Sequence, residues 1–150
     1  MIILIGLQAS GKSTFFRTFF AETHEHISRD LLPNNKNPGR RQLQLVEAAL
    51  QAQRPVVIDN TNATVEAREP LIDLGHMYEA EVIGYYFEST VSQCIERNRQ
   101  RTGKARVPDV AIYVTAKKLV RPSYAEGFDK LFYVRIAQDS TFEIRDWVEM

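Results

Sequence analysis

The chain has 150 residues, 44% of them hydrophobic and 25% charged, a size and composition typical of one globular domain with a buried core. Nineteen basic residues balance nineteen acidic ones, which excludes a protein that coats nucleic acid through overall positive charge, so that any such contact needs a local patch. The single cysteine, Cys94, excludes a framework of internal disulfides and indicates a reducing compartment.

Strands and helices alternate along the sequence. Continuous apolar runs such as residues 2–5 are typical of parallel strands buried on both faces, whereas apolar residues three and four apart indicate helices. In chain order we predict a strand at 2–5, a helix at 13–20, a strand at 26–28, a loop at 33–39, a helix at 42–53, a strand at 55–59, a helix capped by Thr64 and ending near Gly75, a strand at 81–87, a helix from 89 or 90 to 98, a basic connector at 99–107, a helix at 108–119, a strand at 130–137 and a short edge strand at 142–148. This order predicts a single domain with a three-layer α/β/α sandwich around a mostly parallel, five-stranded sheet.

No segment of the sequence predicts a membrane span or a secretion signal. The longest apolar run, residues 1–5, is far shorter than a membrane-spanning helix needs. It also lacks the charged start and the cleavage site of a signal peptide. We therefore expect a cytoplasmic protein with no membrane partner.

The first strand runs directly into a glycine-containing loop that precedes the first helix. Residues 6–13 read G-L-Q-A-S-G-K-S, which fits the pattern of a phosphate-binding loop, or P-loop. Its glycines let backbone N–H groups point at phosphates, and the helix adds the positive end of its dipole. Lys12 is expected to reach the β- and γ-phosphates of ATP or GTP, and Ser13 to ligate Mg²⁺. The predicted nucleotide-binding residues are Gly6, Gln8, Ala9, Ser10, Gly11, Lys12, Ser13 and Thr14.

Two carboxylates follow the second and third predicted strands, where a doubly wound sheet would face them toward the phosphates. Asp30, in the segment Ser28-Arg29-Asp30, can accept a proton from a hydroxyl that attacks the γ-phosphate, or can cap the next turn. Asp59 ends a buried strand, where it can hold Mg²⁺ through water or close the strand as an Asx turn. Three further polar residues follow it, at 60–62, which is more than a turn needs.

A basic segment at residues 97–106 contains five cations and no acid. Such a charge run is often only a solvated surface. In P-loop kinases, however, this position carries a lid whose arginine stabilises charge on the transferring phosphoryl group. We predict that role for Arg101, in a lid at about residues 99–107. Arg97, one turn earlier, is predicted to contact the nucleotide or to lie extended along the surface.

No other chemistry is indicated. The histidines His24, His26 and His76 show no spacing typical of metal ligands, and no nucleophile–base pair for acyl transfer is visible. The tyrosine pair at 85–86 and Trp147 are interpreted as core or edge packing rather than as a platform for stacking bases.

These segments, in this order, resemble the 5′-kinase domain of polynucleotide kinases. Ile27-Ser28-Arg29-Asp30 is similar to the family's strand with its Arg-Asp pair, and Asp59-Asn60-Thr61-Asn62 is similar to its D-N-T-N segment. Residues 97–110 look like the lid and the helix that follows. Tyr113 and then Ala125-Glu126-Gly127-Phe128 resemble the ending of the animal enzymes, so the resemblance spans nearly the whole chain.

The resemblance implies transfer of the γ-phosphate of ATP to the 5′-hydroxyl of a DNA or RNA end, in strand repair or end healing. The implied general base is Asp30, Lys12 and Arg101 are the implied catalytic cations, and the nucleotide is held with help from Arg97. Mg²⁺ would be bound by Ser13 and Asp59. The residues implied on the substrate side are Arg29, Asp30, Asp59, Asn60 and Asn62.

The sequence departs from this family at two points. Phage members carry an arginine shortly after the Arg-Asp pair that contacts the substrate phosphate, whereas here Leu31-Leu32-Pro33 follow. Lys36, Arg40 and Arg41 are the candidates to replace it. No D-x-D-x-T phosphatase motif is present, so a 3′-phosphatase activity is not expected.

Two alternatives stay open. The same skeleton serves kinases of small hydroxyl substrates, such as a nucleoside, a sugar, an antibiotic or, in toxin-type kinases, a nucleotide sugar. The other alternative is a module that binds and slowly hydrolyses ATP without a transfer substrate. Asp30 and the lid arginine disfavour it, because a switch instead needs loops that sense the γ-phosphate and a residue that positions water.

Overall fold

The computed structural model describes residues 1–149. Six strands form one sheet: β1 Ile2–Ile5, β2 Glu25–Ile27, β3 Val56–Asp59, β4 Ile83–Phe87, β5 Lys130–Ile136 and β6 Phe142–Asp146. Five helices accompany it: α1 Lys12–Phe19, α2 Pro38–Gln51, α3 Val65–Met77, α4 Val91–Arg99 and α5 Asp109–Lys118. Short 3₁₀ turns occupy Arg29–Leu31, Gly103–Ala105 and Tyr124–Glu126. Every predicted strand and helix is present.

The strand order is β2-β3-β1-β4-β5-β6, and all neighbours are parallel except β5 and β6. The predicted mostly parallel sheet is therefore confirmed. The predicted count of five is wrong by one, because the edge strand predicted at 142–148 is present as β6 and pairs antiparallel with β5 over five residues.

Both faces of the sheet are covered, as continuous apolar strands require. On β1, Ile3 and Ile5 pack with residues of α2 and α3, while Ile2 and Leu4 pack with Phe15 and other residues near α1 on the opposite face. A third apolar cluster joins the P-loop to α4 and α5. The three-layer sandwich is confirmed.

The start of one helix differs from the prediction. Helix α2 begins at Pro38, four residues before position 42, because the Asn37 side chain accepts a hydrogen bond from the Arg40 N–H and proline is well suited to the first helical position. Helix α3 ends at Met77, so Gly75 lies near its end, as predicted. A Cβ there would lie 2.6 Å from Val82 Cγ2, so the glycine allows close packing. The predicted cap of α3 by Thr64 is confirmed.

Because neighbouring parallel strands end at the same edge, the loops after β1, β2 and β3 converge there. Strand β1 lies between β3 and β4. The chain runs from β1 to β2 on one side of β1, and later crosses from β3 to β4 on the other side. An open α/β sheet forms its ligand crevice at such a change of direction. Within residues 1–149, no helix is long and apolar enough to cross a membrane.

Candidate active site

The P-loop connects β1 to α1 in a conformation that depends on its glycines. Gly11 has a φ of +102°, in the left-handed region that glycine tolerates best. A Cβ on Gly6 would lie 2.9 Å from the Cβ of Phe87 on β4, so that position requires a residue without a side chain. Helix α1 begins at Lys12, which aims its positive end at the loop.

Lys12 lies buried against its own loop. Its Nζ donates hydrogen bonds to the carbonyl oxygens of Gly6 and Leu7 at 2.9 and 2.6 Å. Burial lowers the pKa of Lys12 to about 8, and the nearby Asp59 carboxylate opposes this shift. The third hydrogen bond of Lys12 Nζ, at 3.3 Å, goes to the Ser10 hydroxyl. A desolvated ammonium held by neutral oxygen atoms gains much from an anion. A triphosphate in the loop is therefore expected to draw Lys12 toward its oxygens.

Asp59, Ser13 and His26 form a hydrogen-bonded group beside Lys12. The Ser13 hydroxyl and His26 Nε2 each lie 2.8 Å from the same oxygen, Oδ2 of Asp59. Burial alone would raise the pKa of Asp59, but the hydrogen bonds from His26 and Ser13 and the charge on Lys12 outweigh it and hold that pKa below its usual range. The carboxylate is thus ionised and fixed in orientation. Its Oδ1 has no hydrogen-bond partner among residues 1–149.

These oxygen atoms fit a magnesium ion. Mg²⁺ prefers carboxylate and hydroxyl oxygens together with water and phosphate oxygens, and rarely has a cage made only of protein ligands. The Ser13 hydroxyl and the unpartnered Oδ1 of Asp59 supply that set beside the P-loop. Among residues 1–149, no group of three or more His, Cys, Asp or Glu side chains forms a separate metal site.

His26 is the site residue that the sequence did not identify. It lies on β2, and its ring stacks on Phe16 of α1 at 4.1 Å between centroids and 15° between planes. An ionised carboxylate only accepts hydrogen bonds, so the proton between His26 and Asp59 belongs to Nε2. A histidine inside a strand was visible in the sequence. The pairing of β2 with β3, which carries Asp59, could not be predicted from the sequence.

The polar residues after β3 mainly hold the loops in place. Asn60 accepts a hydrogen bond from the Arg29 backbone N–H at 2.9 Å and donates one to Gln42 of α2. Asn62 is buried and donates to the carbonyl oxygen of Leu4 at 2.7 Å. Both asparagines line a cavity beside the P-loop, which we call the central cavity, but their amides are hydrogen-bonded to protein groups.

Arg68 is a second residue whose importance the sequence did not reveal. Its side chain on α3 is fully buried and pairs with Glu126 through Nε at 2.8 Å and Nη2 at 3.1 Å. Its Nη1 also donates to the carbonyl oxygens of Asn62 and Val120. Arg68 thus ties the loop after β3 to the segment that follows α5.

The central cavity, of about 390 Å³, opens beside the P-loop and brings most of the predicted residues together. Its lining includes Gln8, Ala9, Lys12, Ser13, Arg29, Asp30, Asp59, Asn60, Asn62, Arg101, Lys104 and Lys118. Asp30 and Arg101 are close enough to Lys12 to influence its pKa in opposite directions. The Arg101 guanidinium itself donates to the carbonyl oxygen of Ala105 at 3.3 Å. None of Lys36, Arg40 and Arg41 lines this cavity.

Five predicted nucleotide contacts do not line this cavity. Gly6, Ser10 and Gly11 belong to the P-loop itself, whereas Thr14 and Arg97 lie elsewhere. Thr14 is exposed on α1, and its hydroxyl accepts a hydrogen bond from Arg17. Arg97 lines a second, wider cavity of about 880 Å³ between the start of α4 and the β5–β6 hairpin. It donates to Ser89 Oγ at 3.1 Å and to the carbonyl oxygen of Ala9 at 3.4 Å, so it touches the back of the P-loop.

A family model described as "AAA domain" matches residues 1–122. The chain belongs to this AAA domain family. Its fold is that of P-loop kinases, and the family supports a nucleotide-binding, kinase-like protein.

The chain is similar in sequence to a polynucleotide kinase and similar in fold to kinases of RNA and of other substrates. The chain is 26% identical over 132 residues to the bifunctional polynucleotide phosphatase/kinase of Schizosaccharomyces pombe, covering 85% of this chain and 31% of that protein. A fungal RNA kinase structure has a TM-score of 0.68 at 15% identity, over 89% of this chain and 37% of that one. A gluconokinase structure from Sinorhizobium meliloti 1021 has a TM-score of 0.65 at 20% identity, over 91% and 82%.

The predicted resemblance to polynucleotide kinases is therefore confirmed by sequence similarity. The chain spans 16% to 32% of the length of the curated relatives that it matches. The two structural likenesses, both below 25% identity, bear on the fold alone.

Proposed function

We propose that this chain is a polynucleotide 5′-kinase that transfers the γ-phosphate of ATP to the 5′-hydroxyl of a DNA or RNA end. The observation that carries the proposal is the shared cavity. Asp30 lines the same cavity as Lys12, Arg101 and the Ser13–Asp59 pair, and its carboxylate has no hydrogen-bond partner among residues 1–149. The relationship to the S. pombe polynucleotide phosphatase/kinase supports the choice of acceptor.

In this mechanism Asp30 acts as the general base. It accepts the proton of the 5′-hydroxyl while that oxygen forms a bond to the γ-phosphorus, and the bond between the γ-phosphorus and the β–γ bridging oxygen breaks to release ADP. Lys12 and Arg101 stabilise the negative charge that shifts onto the phosphoryl and bridging oxygens. Arg101 lies in the segment between α4 and α5, which we assign as a lid.

Ser13 and Asp59 would hold Mg²⁺, which neutralises charge on the β- and γ-phosphates when it is bound. The wider cavity beside Arg97 supplies room for the nucleoside of the donor. In this proposal the donor binds on the α4 side of the P-loop, and the acceptor binds on the side of Asp30 and the loop after β3.

A kinase of a small hydroxyl substrate is the second candidate. It is favoured by the likeness to a gluconokinase and by the modest size of the central cavity, about 390 Å³, which suits a single sugar. The charge of the lining favours the polynucleotide, because five cations face two carboxylates there. MgATP carries a net charge of about −2, which does not fully neutralise this lining. The remaining positive charge favours an anionic acceptor.

The proposal is tested by incubating the protein and Mg²⁺ with ATP labelled at the γ-phosphate and a 5′-hydroxyl oligonucleotide. Label is expected on the oligonucleotide, and a matched oligonucleotide that already carries a 5′-phosphate should receive none. Gluconate and free nucleosides form a parallel series. Label found only on these small acceptors, on free phosphate or on residual ATP would rule out the polynucleotide acceptor.

Replacing His26 is expected to weaken Mg²⁺-dependent nucleotide binding. His26→Ala removes one of the two donors that orient Asp59, and a hydrogen bond to a charged group contributes about 1.5–3 kcal/mol, so affinity for MgADP should fall about tenfold. His26→Gln places an amide N–H near the position of Nε2 and should recover most of it. Calorimetric titration with ADP, with and without Mg²⁺, measures both effects.

His24→Ala is the matched control, because the His24 ring is partly exposed and bonds only to Thr23. An equal loss of affinity with and without Mg²⁺ would show that His26 supports the fold of the site rather than the metal ligand.

A further inference from the structure

Helix α5 carries an exposed face that the proposed reaction does not use. With about 100° between successive residues of a helix, one arc of about 140° contains Val110, Tyr113, Val114, Lys117 and Lys118. Val110 is 64% exposed, and Tyr113 and Val114 are each 52% exposed. Ile112 and Thr115 on the opposite side are buried. Val110 and, one turn later, Tyr113 and Val114 lie next to the two lysines. These five side chains form a surface that we call the α5 face.

The α5 face begins at the mouth of the central cavity. Lys118, at one side of the arc, lines that cavity. Thr115, one turn earlier, accepts a hydrogen bond from the side chain of Gln8 in the P-loop at 2.9 Å, which holds α5 against the phosphate site. A ligand that enters the cavity and continues outward therefore has the α5 face beside it.

Charge in this part of the chain is strongly asymmetric. Residues 97–118 contain seven basic residues and one acidic residue, whereas the rest of the chain contains twelve basic and eighteen acidic residues. The one acid, Asp109, pairs with Arg99 at 3.5 Å and is approached by the Asn98 amide. The local patch that a neutral protein needs for contact with an anionic polymer is thus concentrated on α5 and the segment before it.

We propose that the α5 face binds the acceptor strand beyond its first nucleotide. Lys118 contacts the phosphate that follows the reacting sugar, Lys117 contacts the next one, and a base stacks on the ring of Tyr113. Cations that follow a backbone, together with an aromatic platform, are the usual means of holding single-stranded nucleic acid. The inference rests on the proposed function and assigns to Lys118 the phosphate contact that no arginine after Asp30 provides.

The charge pattern favours a nucleic acid over a second copy of this chain. A two-fold contact through α5 would bring Lys117 and Lys118 of one copy toward those of the other, and like charges placed together at an interface cost several kcal/mol. An apolar peptide would leave the lysines without a counter-charge. A single strand of nucleic acid supplies phosphates for the lysines and bases for the apolar side chains.

The test measures binding and transfer with 5′-hydroxyl oligonucleotides of two, four and eight nucleotides. Stacking of one base on an aromatic side chain contributes about 1–3 kcal/mol, so Tyr113→Ala should weaken binding of the longer strands about tenfold. The dinucleotide, too short to reach Tyr113, should bind Tyr113→Ala as it binds the wild type. Tyr124→Ala, which removes an exposed tyrosine outside α5, should change neither.

Salt dependence tests the lysines. Each phosphate contact to a single strand contributes about 0.7 to the slope of log affinity against log salt, so Lys117→Met and Lys118→Met should each reduce the slope by about that amount. Lys130→Met is the matched control, because Lys130 starts β5 at the opposite edge of the sheet and is similarly exposed. Its slope should equal that of the wild type.

The outcomes separate this inference from the proposed function. Transfer by the wild type with unchanged binding of long strands by Tyr113→Ala would overturn the inference alone. Absence of transfer, with strand binding still weakened in Tyr113→Ala, would overturn the kinase reaction and support the α5 face as a strand-binding surface. If Tyr113→Ala changes the molar mass measured by light scattering but not strand affinity, the face is a protein interface and the inference is wrong.

Discussion

Replacing Asp30 with asparagine is expected to reduce transfer to a 5′-hydroxyl oligonucleotide by a factor of about 10² to 10⁴, the range that a positioned acid–base group contributes. Asparagine has nearly the size and shape of aspartate but cannot accept the proton of the attacking hydroxyl. Asp30 is exposed at the cavity, and its backbone N–H, not its carboxylate, makes the hydrogen bond to Ser28. The substitution should therefore leave the turn and the P-loop intact.

Measurement of kcat and of ATP affinity separates a role of Asp30 in proton transfer from a role in nucleotide binding. We expect kcat to fall while ATP affinity stays within about twofold, because Asp30 serves only the step in which the hydroxyl attacks. Asp73→Asn, on α3 and outside the central cavity, is the control. A variant that keeps the full kcat, or that loses ATP binding and kcat together, would show that Asp30 is not the general base.

The parts of the site that could be predicted are contiguous in sequence. The P-loop carries its chemistry within residues 6–13, and the strand before it and the helix after it are both evident from apolar periodicity. Asp30 and Asp59 could be placed at one edge of the sheet because parallel strands end together. Their actual proximity to Lys12 then followed from the strand order.

The residues that escaped prediction act through partners distant in sequence. His26 matters because β2 pairs with β3, which brings its ring to Asp59, 33 residues away. Arg68 looks like an ordinary charged residue on an amphipathic helix until its partner Glu126, 58 residues on, is known. The predicted number of strands in the sheet was too low for the same reason, because the short alternating pattern of β6 does not reveal its pairing with β5.

Arg68→Met is expected to lower the free energy of unfolding by about 3–5 kcal/mol, because removing one partner of a buried ion pair leaves the other charge uncompensated. Glu126 has a side chain only 8% exposed and would keep just the Ser123 N–H as a hydrogen-bond donor. The carbonyl oxygens of Asn62 and Val120 would also lose the donor that Arg68 gives each of them. Methionine preserves much of the length and the apolar stem, so the loss measures the charge and the hydrogen bonds. Urea denaturation followed by circular dichroism gives the value.

The double variant Arg68→Met/Glu126→Leu distinguishes an unpaired charge from lost packing. Replacing both members with apolar residues removes the buried carboxylate, so stability should recover in part. The remaining deficit should reflect the two carbonyl groups that lose a donor and the Ser123 N–H that loses its acceptor, at about 1–3 kcal/mol each. Arg135→Met provides the exposed comparison, since the Arg135–Glu143 pair lies at the surface and should contribute less than about 1 kcal/mol. A single variant Arg68→Met no less stable than Arg135→Met would contradict the role of Arg68 as the tie between the loop after β3 and the segment after α5. Because that loop carries Asn60 and Asn62 at the acceptor side of the cavity, Arg68→Met should also weaken acceptor binding at temperatures well below its unfolding transition.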